Sequence, residues 1–345
     1  MTMSKHDTHR EALGPLRKAM YAFEEGAVRN ALSELCAPEA VFRSAFPIPE
    51  VKGTEAYYET AYAPLLKAIP DLERRDWLVM SGVTDKGLDW AGCGGFYTGT
   101  FAEPWLDIPP TGHMVHMRFH EFYRFEEGKV VETQSLWDIP EVMMQAGAWP
   151  MAPSLGKEWC IPGPATQDGL SLTYDGQEGQ RSADLIVDML NHMKLHPSQG
   201  GPEVMEMARF WHPRMSWYGP AGIGTGRGIA GFRNWHQIPF LAGMPDRGFA
   251  RDKITYHFFG DGPYCAVTGW PNMIQTLSHD GWLGLPPMNK VITMKSLDFW
   301  RIEGDKIREN WVMVDLLDMY NQLGVDVLGR MREFNKARYP MSLSD

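Results

Sequence analysis

Residues 122–132 read FYRFEEGKVVE, and residues 299–309 read FWRIEGDKIRE. The two stretches lie 177 residues apart and share five of their eleven positions. In each, residues of alternating character flank a glycine-containing turn, which is the pattern of a β-hairpin. The same hairpin written twice in one chain indicates an internal duplication.

The match extends well beyond the hairpin. Residues 90–147 align with residues 267–324 without a gap, and 14 of these 58 positions are identical. Residues 36–71 align with residues 211–246 at an offset of 175, so the second copy gains two residues between 246 and 267. A chain of 345 residues is long enough for two such domains. We predict a disordered tail at 1–9, a first domain at 10–150, a Pro/Gly-rich linker at 151–181, a second domain at 182–335 and a tail at 336–345.

The composition of the chain argues against a nucleic-acid-binding protein, a membrane-spanning protein and a disulfide-bonded protein. The net charge of −10 and the lack of a basic stripe argue against a nucleic-acid partner. The sequence has no apolar run of about 18 residues, so no membrane span is predicted. The four cysteines are scattered, without a C-x-x-C pair, and this favours free thiols in a reducing cytoplasm.

Each copy begins with helical periodicity and then changes to a period of two. Leu13, Leu16 and Met20 fall at helical spacing in the first copy, and residues 75–83, 88–98, 114–125 and 129–137 alternate as strands do. Helices followed by a meander of strands predict an α+β fold. We expect two tandem cone-shaped α+β barrels, each a curved antiparallel sheet wrapped over N-terminal helices, with a pocket between sheet and helices.

Four motifs, in this order and spacing, carry a family resemblance. They are AFEEG at 22–26, the His212-Pro213 pair, PPTGH at 109–113, and the closing hairpin that leads to QAG at 145–147 and QLG at 322–324. Together they resemble the SnoaL-like polyketide cyclases of the nuclear transport factor 2-like superfamily. The resemblance covers most of both copies and implies the cone fold. Members of this superfamily include isomerases, cyclases, dehydratases, hydrolases and non-catalytic binders.

The resemblance also implies where catalysis is expected, and this sequence departs from it. Cyclases of this kind use a His on the penultimate strand and an Asp on the last strand. By motif spacing, the His position falls on Glu121 and Asp298, and the Asp position falls on Ser135 and Val312. The cyclase pair is therefore missing from both copies, which argues against aldol-type polyketide cyclisation.

Strand alternation independently singles out the same two acids. One face of the penultimate strand is apolar or nearly so in both copies, except for Glu121 in the first and Asp298 in the second. A carboxyl group desolvated on an apolar face has a raised pKa and can act as a general acid or base near neutral pH. The alternative is a strand-end acid that pairs with an arginine, such as Arg118 or Arg124.

Further residues are candidates for the same pocket or for other roles. Asp138 and Asp315 precede the last helix of each copy and are predicted to cap it. His116 and His120 lie ~13 Å apart on a strand, too far to share one ion, so no metal is predicted. Residues predicted to bind substrate are Phe23, Tyr123, Ser135, Trp137, Tyr218, His257 and Trp300.

The sequence therefore favours an enzyme, a lyase or isomerase, that moves protons on a small apolar organic substrate without a cofactor. Glu121 and Asp298 are its predicted acid/base residues. The alternative is a non-catalytic ligand-binding or scaffold protein of the same fold. For this fold, the resemblance also implies sheet-face pairing, either between the two copies as an internal pseudo-dimer or between two chains as a homodimer.

Overall fold

A computed structural model of the protein describes residues 4–247 and 251–335. Repeat one contains helices α1 (Lys5–Ala12), α2 (Gly14–Ala22), α3 (Glu25–Leu35), α4 (Thr54–Tyr57), α5 (Ala63–Ala68) and α6 (Ile139–Gln145), with a π-helical turn at Tyr58–Tyr62. Its strands are β1 (Cys36–Ser44), β2 (Val51–Lys52), β3 (Glu73–Val83), β4 (Asp89–Thr100), β5 (Met114–Glu126) and β6 (Lys129–Trp137). They form one sheet in the order β2-β1-β6-β5-β4-β3.

Repeat two follows the same plan. Its helices are α7 (Gly176–Met193), α8 (Met207–Phe210), α9 (Gly228–Phe232), α10 (Ile238–Gly243), α11 (Leu316–Gln322) and α12 (Val327–Phe334), with 3-10 turns at Pro202–Met205 and Arg251–Lys253 and a π-helical turn at Arg233–Gln237. Its strands are β7 (Trp211–Tyr218), β8 (Thr225–Arg227), β9 (His257–Asp261), β10 (Tyr264–Thr268), β11 (Met273–Leu277), β12 (Lys290–Met294), β13 (Ser296–Glu303) and β14 (Lys306–Val314). The main sheet has the order β8-β7-β14-β13-β10-β9, and β11 and β12 form a separate pair.

The predicted α+β class and tandem arrangement are confirmed. The four predicted strands of repeat one correspond to β3–β6 within two residues at each end. The sheets are mostly antiparallel but are open rather than closed into barrels, and β1 runs parallel to β6 as β7 does to β14. Strand β1 was not predicted, because Pro38 and a register shift between Cys36 and Val41 disturb its alternation.

The hairpins that define the duplication form as predicted. Glu126 pairs with Lys129, and Glu303 pairs with Lys306. In the first hairpin, Glu127 and Gly128 both have positive φ, 50° and 78°. A type I′ turn requires this combination at its two central residues, and its twist matches that of the strands it joins.

Two predicted boundaries need correction: the end of the N-terminal tail and the end of the linker. The expected tail at 1–9 is wrong for residues 5–9, which belong to α1; the Ser4 side chain caps that helix by accepting from the Asp7 N–H. The expected linker at 151–181 ends earlier, because α7 begins at Gly176. The segment before α7 is bonded to both repeats: Val79 N–H donates to Gly169 O, and the Trp311 indole donates to Pro162 O, both at 2.9 Å. The tail at 336–345 is outside the described residues.

The two repeats pack against each other through the outer faces of β5 and β13. Phe122 and Phe299, which occupy equivalent positions, stack with their ring centres 5.0 Å apart and an interplanar angle of 19°. Nearby, His120 Nδ1 lies 2.6 Å from the Leu297 carbonyl oxygen. Contact between equivalent residues is what a twofold relation produces. The chain therefore contains an internal pseudo-twofold pairing of its own sheets.

The two aspartates predicted to cap helices, Asp138 and Asp315, make equivalent contacts between the repeats. Asp315 caps α11 by accepting from Asp318 N–H, as predicted, and it also accepts from Phe46 N–H of repeat one at 3.0 Å. Asp138 makes no capping bond to α6, so its predicted role is wrong. Its carboxylate instead accepts from Ala221 N–H of repeat two at 2.9 Å. Phe46 and Ala221 are 175 residues apart, so the two bonds are equivalent across the pairing.

Removing one ring of the central stack tests this pairing. Phe299 is fully buried, so Phe299→Ala should lower the free energy of unfolding by ~3–5 kcal/mol in urea titrations. Because the rings touch, the double variant Phe122→Ala/Phe299→Ala should cost less than the sum of the single variants. The exposed Phe334→Ala is the control and should change stability by less than ~0.5 kcal/mol. Strictly additive costs would contradict the contact.

Candidate active site

Asp298 lies on β13 and faces the inside of the cone of repeat two. Its neighbours across the sheet are Val267 of β10 and Val312 of β14. The Ser296 hydroxyl donates a hydrogen bond to Asp298 Oδ1 at 2.6 Å. The carboxyl group thus sits among apolar side chains with a neutral hydroxyl as a close partner.

A two-lobed cavity opens beside this carboxyl. One lobe has a volume of ≈110 Å³ and the other ≈80 Å³. An engineered apolar cavity of ~150 Å³ binds benzene, so the two lobes together suit a ligand about the size of one ring. Six residues border both lobes: Leu190, Arg247, Met273, Ser296, Asp298 and Trp300.

The environment of Asp298 changes its ionisation. Burial raises the pKa of the carboxyl to about 7, against the opposing effects of the Ser296 hydrogen bond, the Met313 backbone and the charges of Arg247 and Arg118. Both protonation states are therefore populated near neutral pH. A group in this condition can accept a proton and return it, which is the requirement for general acid/base chemistry.

Several polar atoms around the lobes are buried without a hydrogen-bond partner. They are His236 Nδ1, Gln237 Oε1, Gln275 Oε1 and the indole Nε1 atoms of Trp211, Trp282 and Trp300. Buried polar atoms are normally paired, and an orphaned one costs stability. A set of donors and acceptors around an apolar cavity is suited to a ligand that is largely apolar and carries a few oxygen atoms.

His236 contributes an aromatic wall. Its ring stacks on Trp217, with centres 4.0 Å apart and an interplanar angle of 15°. Burial, together with the charge of Arg247, lowers the pKa of His236 to about 3. The imidazole is therefore neutral at physiological pH. It lies in the π-helical turn at Arg233–Gln237, which is the counterpart of the turn at Tyr58–Tyr62 in repeat one.

Smaller side chains explain why the cavity lies in repeat two. At equivalent positions 177 residues apart, Phe119 is replaced by Ser296 and Trp137 by Val314. Tyr97 is likewise replaced by Ile274, which lines the larger lobe. Each replacement removes ring volume from the inner face of the cone. The same backbone plan is therefore filled in one repeat and hollow in the other.

A break in the sheet accompanies the cavity. Strand β4 runs for 12 residues in repeat one, whereas its counterpart is divided into β10 and β11. Pro271, in the gap, has no N–H to donate to a strand ladder. The Asn272 side chain takes over the pairing: its Nδ2 donates to Ser296 O at 2.7 Å, and its Oδ1 accepts from Ser296 N–H at 2.9 Å. Asn272 and Ser296 both line the larger lobe.

Glu121, the equivalent acid of repeat one, has a different environment. Oε2 accepts from Arg74 at 2.5 Å and from the Tyr123 hydroxyl at 2.7 Å. Oε1 accepts from the Tyr97 hydroxyl and from the Trp137 indole, both at 2.9 Å. Arg74 and Glu121 are almost completely buried. Four donors, one of them cationic, hold this carboxylate as one half of a buried ion pair.

Four predicted substrate-binding residues surround Glu121 rather than Asp298. Tyr123 and Trp137 donate to its carboxylate, and Ser135 is its partner across β5 and β6. Phe23 packs edge-on against Tyr97 with ring centres 6.4 Å apart. The structure therefore brings these four residues together, but it places them in the packed interior of repeat one. None of them borders either lobe of the cavity.

The remaining predicted residues divide between the cavity and the contact of the two repeats. Trp300 borders both lobes. His257 and Tyr218 line neither lobe of the cavity. The His257 ring lies 5.8 Å from that of Trp90 in repeat one. The Tyr218 hydroxyl donates to Glu309 at 3.2 Å, and its carbonyl accepts from Arg118 of repeat one at 3.1 Å.

Comparison with known protein families decides the classification. The SnoaL-like polyketide cyclase family matches residues 16–146 and again residues 202–323, which together are well over half of the chain. The chain belongs to the SnoaL-like polyketide cyclase family. The two matched segments agree with the duplication seen in the sequence and in the paired sheets.

Solved structures include single-domain proteins similar to this SnoaL-like chain. A SnoaL-like polyketide cyclase candidate from Jannaschia sp. CCS1 is 24% identical, with a TM-score of 0.35, covering 42% of this chain and 95% of its own. IdmH from Streptomyces antibioticus, a polyketide cyclase candidate, is 18% identical with a TM-score of 0.34, covering 40% of this chain and 98% of its own. AclR from Streptomyces galilaeus, a hydroxylase candidate, is 20% identical with a TM-score of 0.34, covering 41% of this chain and 98% of its own. A comparison with proteins of curated function gives no match.

Sequence reasoning missed several cavity residues of this SnoaL-like protein. Arg247, His236, Gln237 and Ser296 are not among the residues predicted to bind substrate. Aligning the repeats offers a signal that would have found some of them. Three donors to Glu121 are Tyr97, Tyr123 and Trp137, and their counterparts are Ile274, Trp300 and Val314. Two of these counterparts lack any donor, and the Trp300 indole is unpartnered, so Asp298 loses the support that Glu121 has.

Glu121 should therefore matter for stability. Glu121→Gln removes one of the two carboxylates that pair with the buried Arg74, the other being Asp76 at 3.0 Å, and should lower the free energy of unfolding by ~1–3 kcal/mol. Urea unfolding followed by tryptophan fluorescence measures the change. Glu127→Gln, on the exposed hairpin turn, is the matched control and should leave the unfolding midpoint unchanged. Equal stability of Glu121→Gln and wild type would show that the ion pair is dispensable.

Ionisation of Asp298, by contrast, should destabilise the fold, so the free energy of unfolding should depend on pH. Its pKa of about 7 when folded exceeds the ordinary value of 3.8, so the folded chain binds more protons than the unfolded chain between pH ~4 and ~7. Wild-type stability should therefore fall relative to Asp298→Asn as pH rises through that window, by on the order of 2–4 kcal/mol. Urea unfolding at several pH values measures this difference.

The control for this experiment is Asp305→Asn, which removes an exposed acid from the β13–β14 turn. Its stability should follow the wild-type pH profile. Parallel profiles for Asp298→Asn and wild type would show that the Asp298 carboxyl titrates at its ordinary pKa and that the cavity does not desolvate it.

Proposed function

We propose that repeat two is a small-molecule enzyme in which Asp298 moves protons by general acid/base catalysis, without a cofactor. The observation that carries this proposal is a carboxyl group in a largely apolar cavity with a pKa raised to about 7. The reaction class it supports is proton removal beside a carbonyl group, as in double-bond isomerisation, dehydration or ring closure. The substrate is a small, mostly apolar organic molecule.

Other cavity residues have roles in this proposal. Removing a proton beside a carbonyl places negative charge on its oxygen, and pre-positioned donors stabilise such charge most effectively in a site that excludes water. The unpartnered indole N–H groups of Trp282 and Trp300 are suitable donors. Arg247, which borders both lobes, supplies positive charge. The aromatic wall of His236 and Trp217 is suited to the flat face of a ring.

In this proposal, repeat one supports the site without catalysing a reaction. Glu121 is neutralised by Arg74 and its lone pairs are occupied by four donors. The inner face of its cone is filled with rings. Its contribution is to hold β13 in place through the paired outer faces of the two sheets.

The test uses an elementary step that needs no knowledge of the natural substrate. In D₂O, a general base exchanges the α-protons of small cyclic ketones, and proton NMR follows the loss of signal. With cyclohexanone and 2-cyclohexenone as probes, wild type should exchange faster than buffer alone. Asp298→Asn should reduce the enzymatic rate by ~10²-fold or more, since general-base catalysis contributes about that much.

Two further variants sharpen the outcome. Val314→Trp introduces the repeat-one residue into the smaller lobe and should block exchange while circular dichroism stays unchanged. Val187→Trp, on the exposed face of α7, is its control and should retain wild-type exchange. Ketone binding without exchange would favour the alternative, a non-catalytic ligand-binding protein. Exchange that survives in Asp298→Asn would exclude this residue as the base.

A further inference from the structure

A cluster of three potential metal ligands lies outside the cavity of repeat two. His6 and His9 are on α1, at i and i+3, so their side chains project from the same face of the helix. Asp89 begins β4, against which α1 packs. One ligand atom from each of the three side chains lies within 4.8 Å of the other two. These residues share nothing with the Asp298 site.

Each of the three side chains has a buried polar atom without a hydrogen-bond partner. His6 and His9 are 7% and 5% exposed, and Nδ1 of each ring has no hydrogen-bond partner. Asp89 Oδ2 is paired with Lys5 at 2.7 Å, but its Oδ1 is buried and unpartnered. An orphaned polar atom on each of three neighbouring side chains is unusual, because buried polar atoms are normally satisfied.

Ordinary packing accounts for the ring positions but leaves these polar atoms unexplained. The His9 ring stacks on Phe125 with centres 4.2 Å apart, and the His6 ring lies 4.3 Å from that of Tyr174. Such contacts bury ring faces and do not satisfy ring nitrogens. Two imidazoles and one carboxylate are a common ligand set for a divalent transition metal, especially Zn²⁺, with water in the remaining position.

The helix that carries the histidines contacts both repeats and the linker. Arg10 is paired with Asp261 of repeat two at 2.5 Å. The His6 carbonyl accepts from the Ser81 hydroxyl of repeat one at 2.8 Å. The Asp7 carboxylate accepts from Tyr174 N–H of the linker at 3.1 Å. An ion bound between α1 and β4 would therefore fix a helix that touches all three parts of the chain.

We propose that His6, His9 and Asp89 form a Zn²⁺ site that fastens α1 onto repeat one. One potential ligand atom of each side chain lies within 4.8 Å of the other two, so side-chain adjustment brings all three to a single ion. It needs no change at Arg10, Ser81 or Tyr174, so the contacts of α1 with repeat two and the linker are retained.

The experiment uses the full chain after dialysis against a chelator. Isothermal titration with Zn²⁺ should give one site per chain, and Zn²⁺ should raise the thermal unfolding temperature. Co²⁺ should give a visible d–d absorption band that Zn²⁺ abolishes, which reports direct coordination rather than a general effect on stability. Asp89→Asn and His6→Gln/His9→Gln should each weaken Zn²⁺ binding by more than about tenfold.

The matched control is His192→Gln, which removes a surface imidazole flanked by Asp188 and Glu206 at 3.3 and 3.5 Å. It should bind Zn²⁺ as wild type does. Circular dichroism of the metal-free variants shows whether weaker Zn²⁺ binding results from loss of a ligand or from loss of the fold. The Co²⁺ spectrum of the wild-type protein tests for direct coordination without any variant. A wild-type chain with no Co²⁺ band and no Zn²⁺-dependent stabilisation would overturn the proposal. So would equal Zn²⁺ affinity in Asp89→Asn and wild type.

Discussion

The stacking of Phe122 on Phe299 buries the outer faces of the two central strands against each other. This contact decides how each repeat can be used. With the outer face covered, the surface of β5 or β13 that remains for a ligand is the inner one, which lines the cone. It also explains the paired bonds from Asp138 and Asp315, each of which accepts a backbone N–H from the opposite repeat. Duplication within one chain makes this pairing independent of protein concentration, unlike that of a dimer of single domains.

Once the outer faces are paired, the inner faces are free to diverge. Repeat one fills its cone with rings and holds Glu121 in a buried ion pair with Arg74. Repeat two replaces Phe119 and Trp137 with Ser296 and Val314 and gains a cavity. A hollow core costs stability, because lining atoms lose packing contacts. The contact with the filled repeat buries Phe122 and Phe299 and so contributes stability against that cost. This difference between the repeats fits the proposal that repeat one stabilises the fold and repeat two forms the active site.

The sequence predicted the repeat, the hairpins, the main strands and the inward-facing acids, because these depend on periodicity and local turn chemistry. It did not predict features that depend on distant residues. The partner of Glu121 is Arg74, 47 positions earlier, and their meeting depends on the pairing of β3, β4 and β5. His257 was expected to bind substrate, but a position on a predicted strand does not tell which face of the sheet the other repeat covers. Helix α1 was expected to be a tail, because its short polar sequence has little amphipathic signal and gains its stability from contacts such as that of Arg10 with Asp261.

Glu121 and Asp298 show that an acid at one position of a fold does not by itself define a catalytic site. Both lie on the same strand, on the same face, in cones of the same design. What separates them is the set of donors around each carboxylate. Glu121 has four side-chain donors that include a guanidinium, whereas the Ser296 hydroxyl beside Asp298 is neutral. Opposite charges and donated hydrogen bonds favour the ionised form, and apolar burial favours the neutral one. The replacement of Tyr97 by Ile274 and of Trp137 by Val314 therefore does two things at once: it opens space for a ligand, and it removes two of the side-chain donors that the equivalent carboxylate has in repeat one.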